Sequence, residues 1–400
     1  MRSFRLILLA IIINQLSIFN GAAQWVTGGP AGETINSIVV SGSAVFASGP
    51  GGIFVSSDNG GSWTTANNGL IDTDIFCMAV SGSNIYAGGK IGYGGGIYTS
   101  TNNGASWTSL NAQSDLINET DSYIAGLAAV GPNLMVSTGE GFFVSPDNGT
   151  TWSKDSTFSH ILTSFLITDV GVYGASSEGY GVFFSPDYGH TWTAENNGMV
   201  DLGVNTLIAT GDEIFAGTTG ALYVTANNGS SWTSAVANTL VNSMAAAGPY
   251  IFSALYDDGV ALSTDSAAHW MALDSGFPDP RIQVNVLAVS GATVFAGTAN
   301  GVWQLNIADI DTSTSTGIEV LTGYSSVKLY PNPSVGNWQL AVDQSLLGSA
   351  LEVYDEQGRI VFQSEISLLK SKIDLDVSSG IYYLRISNGE VNVVKKLVKM

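Results

Sequence analysis

The side chains able to do chemistry in this 400-residue sequence are mostly carboxylates: 33 Asp and Glu stand against 13 Lys and Arg, with three histidines and one cysteine. Paired carboxylates could cleave a glycosidic bond, one as acid and the other as base or nucleophile. Aromatic rings beside carboxylates suit a sugar, a cation or a basic protein patch. Two sets of residues carry these types. Tyr93, Glu140, Glu178, Tyr180, Asp257 and Asp258 fall in short Gly-rich turns, and Asp72, Asp74, Asp115, Glu119, Asp121 and Arg281 fall in longer connections. No spacing in the sequence fixes the separation of any two of these carboxylates. Other chemistries lack their residues. Cys77 alone allows no intrachain disulfide and no cysteine-built zinc or iron–sulfur site. It falls where another repeat has Gly126, so a buried, inert thiol is expected. His160 is isolated, and His190 and His269 lie inside a recurring turn, so all three read as surface histidines. Gly92 to Gly96 lies between two strand patterns and not before a helix, which rules out a phosphate cradle. A net charge of −20 argues against nucleic acid and anionic lipid as partners.

The elements that position these residues follow from an internal repeat. One octapeptide returns as 56–63, 100–107, 145–152, 185–192, 225–232 and 263–270, each time ending in tryptophan. The tryptophans Trp63, Trp107, Trp152, Trp192, Trp232 and Trp270 are 44, 45, 40, 40 and 38 residues apart. That period fits one four-stranded propeller blade. The third repeat parses into apolar runs Gly126 to Val130, Leu134 to Thr138 and Phe142 to Ser145, with Trp152 on a fourth strand, separated by Gly and Asn/Asp turns. Val284 to Leu305 supplies three such strands without the octapeptide, and Gln24 to Thr27 resembles a lone fourth strand. The two ends complete one another, which predicts an all-β chain with a seven-bladed β-propeller, its last blade closed by the N-terminal strand. Such closure removes an open strand edge.

The chain's ends have other compositions. Arg2 and Arg5, the apolar run Leu6 to Ile13 and small residues Gly21 to Ala23 have the order of a secretory signal, with cleavage expected after Ala23. No other run approaches the ~18 apolar residues of a membrane span. Residues 308–325 are polar and Ser/Thr-rich and read as a linker between a propeller over 24–307 and a second β-domain over 326–400. Residues 24–310 carry 23 acids and 3 bases, whereas 311–400 carry 10 acids and 8 bases.

The octapeptide resembles the Asp-box of sialidases, sortilins, xyloglucan-cleaving endoglucanases and photosystem II assembly factors. The resemblance implies a turn between a blade's third and fourth strands, fixed by its acidic residue. Asp58, Asp147, Asp187 and Asp265 hold that structural position; Asn102 and Asn227 keep one acceptor oxygen there, and Ala267 replaces the turn glycine of the last copy, which puts that turn in question. Sialidase chemistry needs an arginine triad, and residues 24–310 contain only Arg281. The tail resembles the C-terminal sorting domain of type IX secretion substrates of Bacteroidetes, on Tyr330 to Ser334 with Gly336, Tyr354-Asp355 with Gly358, Ser379 to Arg385, and Lys395, Lys396 and Lys399. That resemblance implies a small Ig-like β-sandwich read by outer-membrane export machinery.

In an up-and-down blade the second-to-third turn and the inter-blade connection share one face, and the octapeptide turns share the other. Tyr93, Glu140, Glu178, Tyr180, Asp257 and Asp258 therefore gather on the first face as ligand-binding candidates. The expected function is a non-catalytic, exported propeller, monomeric, that binds a glycan or a protein at the cell surface or after release. The alternative is a secreted glycoside hydrolase using two rim carboxylates. No cofactor is expected, apart from a calcium ion that an acidic rim could recruit.

Overall fold

The computed structural model describes residues 24–92, 95–110, 123–256, 258–279, 282–310, 327–330, 334, 336–342, 346–355, 358–387 and 392–399. The expected signal segment, most of the expected linker, and Tyr93, Asp115, Glu119, Asp121, Asp257 and Arg281 lie outside the described residues.

Each repeat folds as four antiparallel strands. In the third these are Ile124–Val130, Asn133–Thr138, Gly141–Ser145 and Ser153–Asp155. The fourth begins one residue after Trp152, which sits at the end of the turn and not on the strand. Second strands carry apolar residues on both faces, as in Leu134–Val136, because each sheet is sandwiched between two neighbours; these positions are fully buried. Fourth strands are short and exposed, as at Thr64–Thr65 and Thr193–Ala194. Six four-stranded sheets are contiguous in sequence, over residues 37–65, 75–109, 124–155, 164–194, 204–237 and 241–272. A seventh joins the ends: Val26–Gly29 pairs antiparallel with Gly301–Asn306, Val26 opposite Gln304 and Thr27 opposite Trp303. The first strand of each sheet contacts the first strand of the next, and the seventh contacts the first, so the ring is closed.

Trp25 makes this closure specific. It is 2% exposed, stacks on Phe277 at 4.9 Å, and donates its indole N–H to Leu273 O and its backbone N–H to Ser275 O. Trp107 and Trp232 do the same to Ala66 and Asn68, and to Glu195 and Asn197. A tryptophan of one sheet thus clasps the connection leaving the previous sheet. Gly69, Gly198 and Gly276 permit the approach: each has φ between +92° and +98°, and a Cβ would strike the tryptophan's carbonyl oxygen.

The octapeptide turns share one wiring. In the first, Ser56 Oγ donates to Asp58 Oδ1 and accepts from Gly60 N; Asp58 also accepts from Ser62 N at 2.8 Å and Ser62 Oγ at 2.7 Å. These bonds from Ser62, then Ser56, lower the Asp58 carboxyl to about 2. Asp147 and Asp187 repeat the pattern with Thr151 and Thr191. Asn102 and Asn227 still accept from Ser106 N and Ser231 N, while their amides donate to the Ser106 and Ser231 hydroxyls. The last copy holds its turn despite losing the glycine. Ala267 adopts φ +65°, is buried, and donates its N–H to Ser263 Oγ, while His269 Nδ1 lies 2.6 Å from Asp265. The left-handed conformation costs an alanine about 1–2 kcal/mol. Burial of its methyl beside Phe215 and Trp270 offsets part of that.

The tail is a two-sheet sandwich. Val327–Tyr330, Asn337–Val342 and Lys370–Asp374 face Ile360–Glu365, Ala350–Asp355, Gly380–Ser387 and Asn392–Lys399 across a core of Trp338, Leu340, Val353, Leu384 and Leu397.

Candidate functional site

The two faces of the ring are distinguishable by contact. On the octapeptide face the turns touch the preceding sheet near its first-to-second turn, where Asn59 donates to Thr293 Oγ1 and Tyr86 OH donates to Asn148 Oδ1, and Asn148 N–H also donates to Pro132 O in the first-to-second turn of its own sheet. On the connection face the inter-sheet segments bond to second-to-third turns. Asn67 accepts from Ile53 N and donates to Gly51 O; Asn196 likewise accepts from Val182 N and donates to Tyr180 O. Asp201 accepts from Thr218 Oγ1, Thr219 Oγ1 and Gly203 N. Burial opposes ionisation of Asp201, but those hydrogen bonds outweigh it and hold its carboxyl below the usual range. The shared face expected from strand direction is thus built by side chains that tie turn to connection.

Glu178 and Tyr180 share the turn of the fourth sheet, both exposed. Glu140 is exposed on the third sheet's turn, and Asp258 is half-buried on the sixth. The structure therefore brings Glu178 and Tyr180 together and leaves Glu140 and Asp258 on the turns of other sheets. Asp72 accepts from Asp74 N at 2.9 Å and shapes its own connection. Among the described residues no group of three His, Cys, Asp or Glu side chains is placed to hold a metal ion. Cys77 Sγ lies between Gly88 O and Ile124 O, and burial pushes the thiol up to about 12, as an inert thiol requires.

Sequence reasoning missed two features. Beside the expected Tyr180, further exposed apolar tips stand round the connection face: Ile71 at 63%, Val200 at 93%, and half-exposed Tyr123 and Tyr256. Two are rigidly presented. Tyr98 OH accepts the N–H groups of Ile71 and Asp72, and Tyr223 OH those of Val200 and Asp201. The available signal was a repeated phrase, Asn-Asn-Gly at 67–69 and 196–198, followed by two apolar residues and Asp. The second feature is His160, which is not isolated: its ring lies 4.2 Å from Tyr180 and 5.2 Å from Phe183. On the octapeptide face Val170 and Tyr188 are exposed, both in the fourth sheet.

Two family models match parts of the chain: a DUF6242 beta propeller domain over residues 163–301 and a secretion system C-terminal sorting domain over residues 328–400. No curated protein matches it. Among solved structures it is similar to PorZ, described as an essential bacterial surface component of the type-IX secretion system of Porphyromonas gingivalis, at 16% identity and TM-score 0.55, covering 93% of this chain and 60% of that one. The chain thus spans 60% of the length of PorZ. YCF48 from Cyanidioschyzon merolae matches at 13% identity and TM-score 0.55, over 72% of this chain and 99% of its own. The GH74 enzyme of Niastella koreensis matches at 13% and 0.55, over 94% and 74%. These likenesses show the propeller fold. The sorting domain marks the chain for secretion or cell-surface export, and among the described residues no helix is long and apolar enough to cross a membrane.

Proposed function

We propose that this chain is a non-catalytic interaction module, a seven-bladed Asp-box propeller sent out by type IX secretion, whose connection face receives a glycan or protein ligand at the cell surface. One observation carries the reading: apolar tips with up to 93% exposure are held on connections that buried tyrosine hydroxyls and Asn side chains keep rigid. Exposed apolar groups on pre-organised backbone lose little entropy on binding, as a recognition surface requires. PorZ is a surface component of type IX secretion and one YCF48 structure holds a D1 peptide, so the fold is compatible with surface and peptide-binding roles. Residues 326–400 direct export and take no part in ligand binding. Two experiments test this. Deleting 326–400 leaves the propeller in the periplasm, whereas undiminished surface delivery refutes the sorting role. The full exported chain binds a glycan array or isolated outer-membrane proteins, and Ile71→Asp with Val200→Asp removes that binding; hydrolysis of a polysaccharide panel would favour the glycosidase instead.

A further inference from the structure

The second-to-third turn of the fourth sheet is longer than those of the first, third, fifth and seventh sheets: four residues, 177–180, separate Val172–Ser176 from Gly181–Ser185, against two in each of those. Tyr180 at its end lays one ring face against His160, with centroids 4.2 Å apart and planes at 37°. His160 in turn stacks on Phe183 at 5.2 Å and meets Phe158 edge-on at 5.4 Å. Phe158 continues to Trp192 and Phe142, so the surface ring is backed by an aromatic column that reaches the core. The backbone is fixed as well: Tyr180 O accepts from Asn196 Nδ2, Gly181 N donates to Leu202 O, and Val182 N to Asn196 Oδ1. Tyr180 is therefore a rigid platform, 46% exposed, with the exposed Glu178 two residues away on the same turn.

Resting on the connection-face reading, we infer that Tyr180 and Glu178 form an anchor for an arginine or lysine side chain of a protein partner. A cation over a tyrosine face gains from the ring quadrupole, and a planar guanidinium can stack there while bonding to a carboxylate. The surrounding field favours the same ligand, because residues 24–310 hold 23 acids against 3 bases. The aliphatic tips Ile71 and Val200 on this face suit a protein surface and offer nothing to sugar hydroxyls.

The test uses the full exported chain and a fluorescein-labelled octapeptide of alternating arginine and glycine, with a glutamate–glycine octapeptide and cellohexaose as comparators. The arginine peptide binds; Tyr180→Ala weakens it about tenfold, Tyr180→Phe changes it less than about twofold, and Glu178→Gln weakens it several-fold. Melting temperatures check that each variant is folded. An arginine peptide that does not bind, or binds Tyr180→Ala with unchanged affinity, overturns the anchor. Tyr180-dependent binding of cellohexaose without peptide binding overturns it in favour of a glycan. None of these results touches the connection-face reading, which fails separately if the Ile71→Asp and Val200→Asp pair leaves partner binding intact.

Discussion

The octapeptide face and the connection face are made by the same sheets, yet they use polar side chains differently. On the first, Asp or Asn at each of six equivalent positions closes a turn on itself, with partners two and four residues away. On the second, Asn67, Asn196, Asp201, Tyr98 and Tyr223 reach 14 to 27 residues along the chain to fasten a connection against a turn or a third strand. Local closure gives each sheet its corner and repeats the same turn wiring, with Tyr188 in place of asparagine in the fourth copy. The longer-range fastening differs between sheets and lifts individual apolar residues into solvent. A propeller with one repetitive face and one irregular face can conserve its scaffold on the first while recognising an asymmetric ligand on the second.

The largest disturbance should come from the ring closure that both faces share. Trp25→Ala removes a buried indole and its bond to Leu273 O, and should cost about 3–5 kcal/mol in chemical denaturation. A loss confined to the seventh sheet, seen by hydrogen exchange, would show that the seam opens before the ring unfolds. On the octapeptide face, Ser185→Ala strips the acceptor from the buried Gly189 N–H and should cost about 1–3 kcal/mol while leaving ligand affinity unchanged. On the connection face the pattern inverts. Ile71→Asp with Val200→Asp should change stability by no more than about 0.5 kcal/mol each, yet reduce ligand affinity roughly tenfold or more. If the two faces respond alike, the division between them is wrong.

Acid should separate the octapeptide turns from the strands more gently. Asp58, Asp147, Asp187 and Asp265 all have carboxyls held below the usual range, Asp58 at about 2. A depressed folded pKa stabilises above the unfolded value of 3.8 and loses that contribution as the pH falls through the folded one. Protection of the Ser62 amide, relative to its intrinsic exchange rate, should therefore fall between about pH 4 and pH 2, and that of Thr151 and Thr191 should fall as their carboxylates protonate, ahead of second-strand amides such as that of Val136. Uniform exchange across the sheets would contradict this.

Much of the scaffold was legible because it repeats. Six octapeptides fixed the sheet period, and the unmatched strands at residues 24–27 and 284–305 foretold their pairing. Ala267 misled for a local reason: a glycine rule judges the φ angle alone, while the methyl here finds buried apolar neighbours. The site was less legible because its parts are distant in sequence and not alike. Phe142, Phe158, His160, Tyr180, Phe183 and Trp192 form one aromatic column from two sheets and the connection between them. Nothing in their spacing announces it. That Asp72 is also a turn acceptor was not legible, since a hydrogen bond to the next-but-one N–H leaves no mark on composition.

The central claim is that ligand meets the connection face, and photo-crosslinking tests it most directly. A benzophenone side chain placed singly at Val200, Ile71 and Tyr256 on one face, and at Tyr188, Asn103 and Val170 on the other, would be activated in the surface-delivered protein. The account predicts adducts from the first three positions, lost when Tyr180→Ala and the remaining tip→Asp substitutions are added, and none from the second three. Adducts from Tyr188, Asn103 and Val170, or equal yields from both faces, would contradict it.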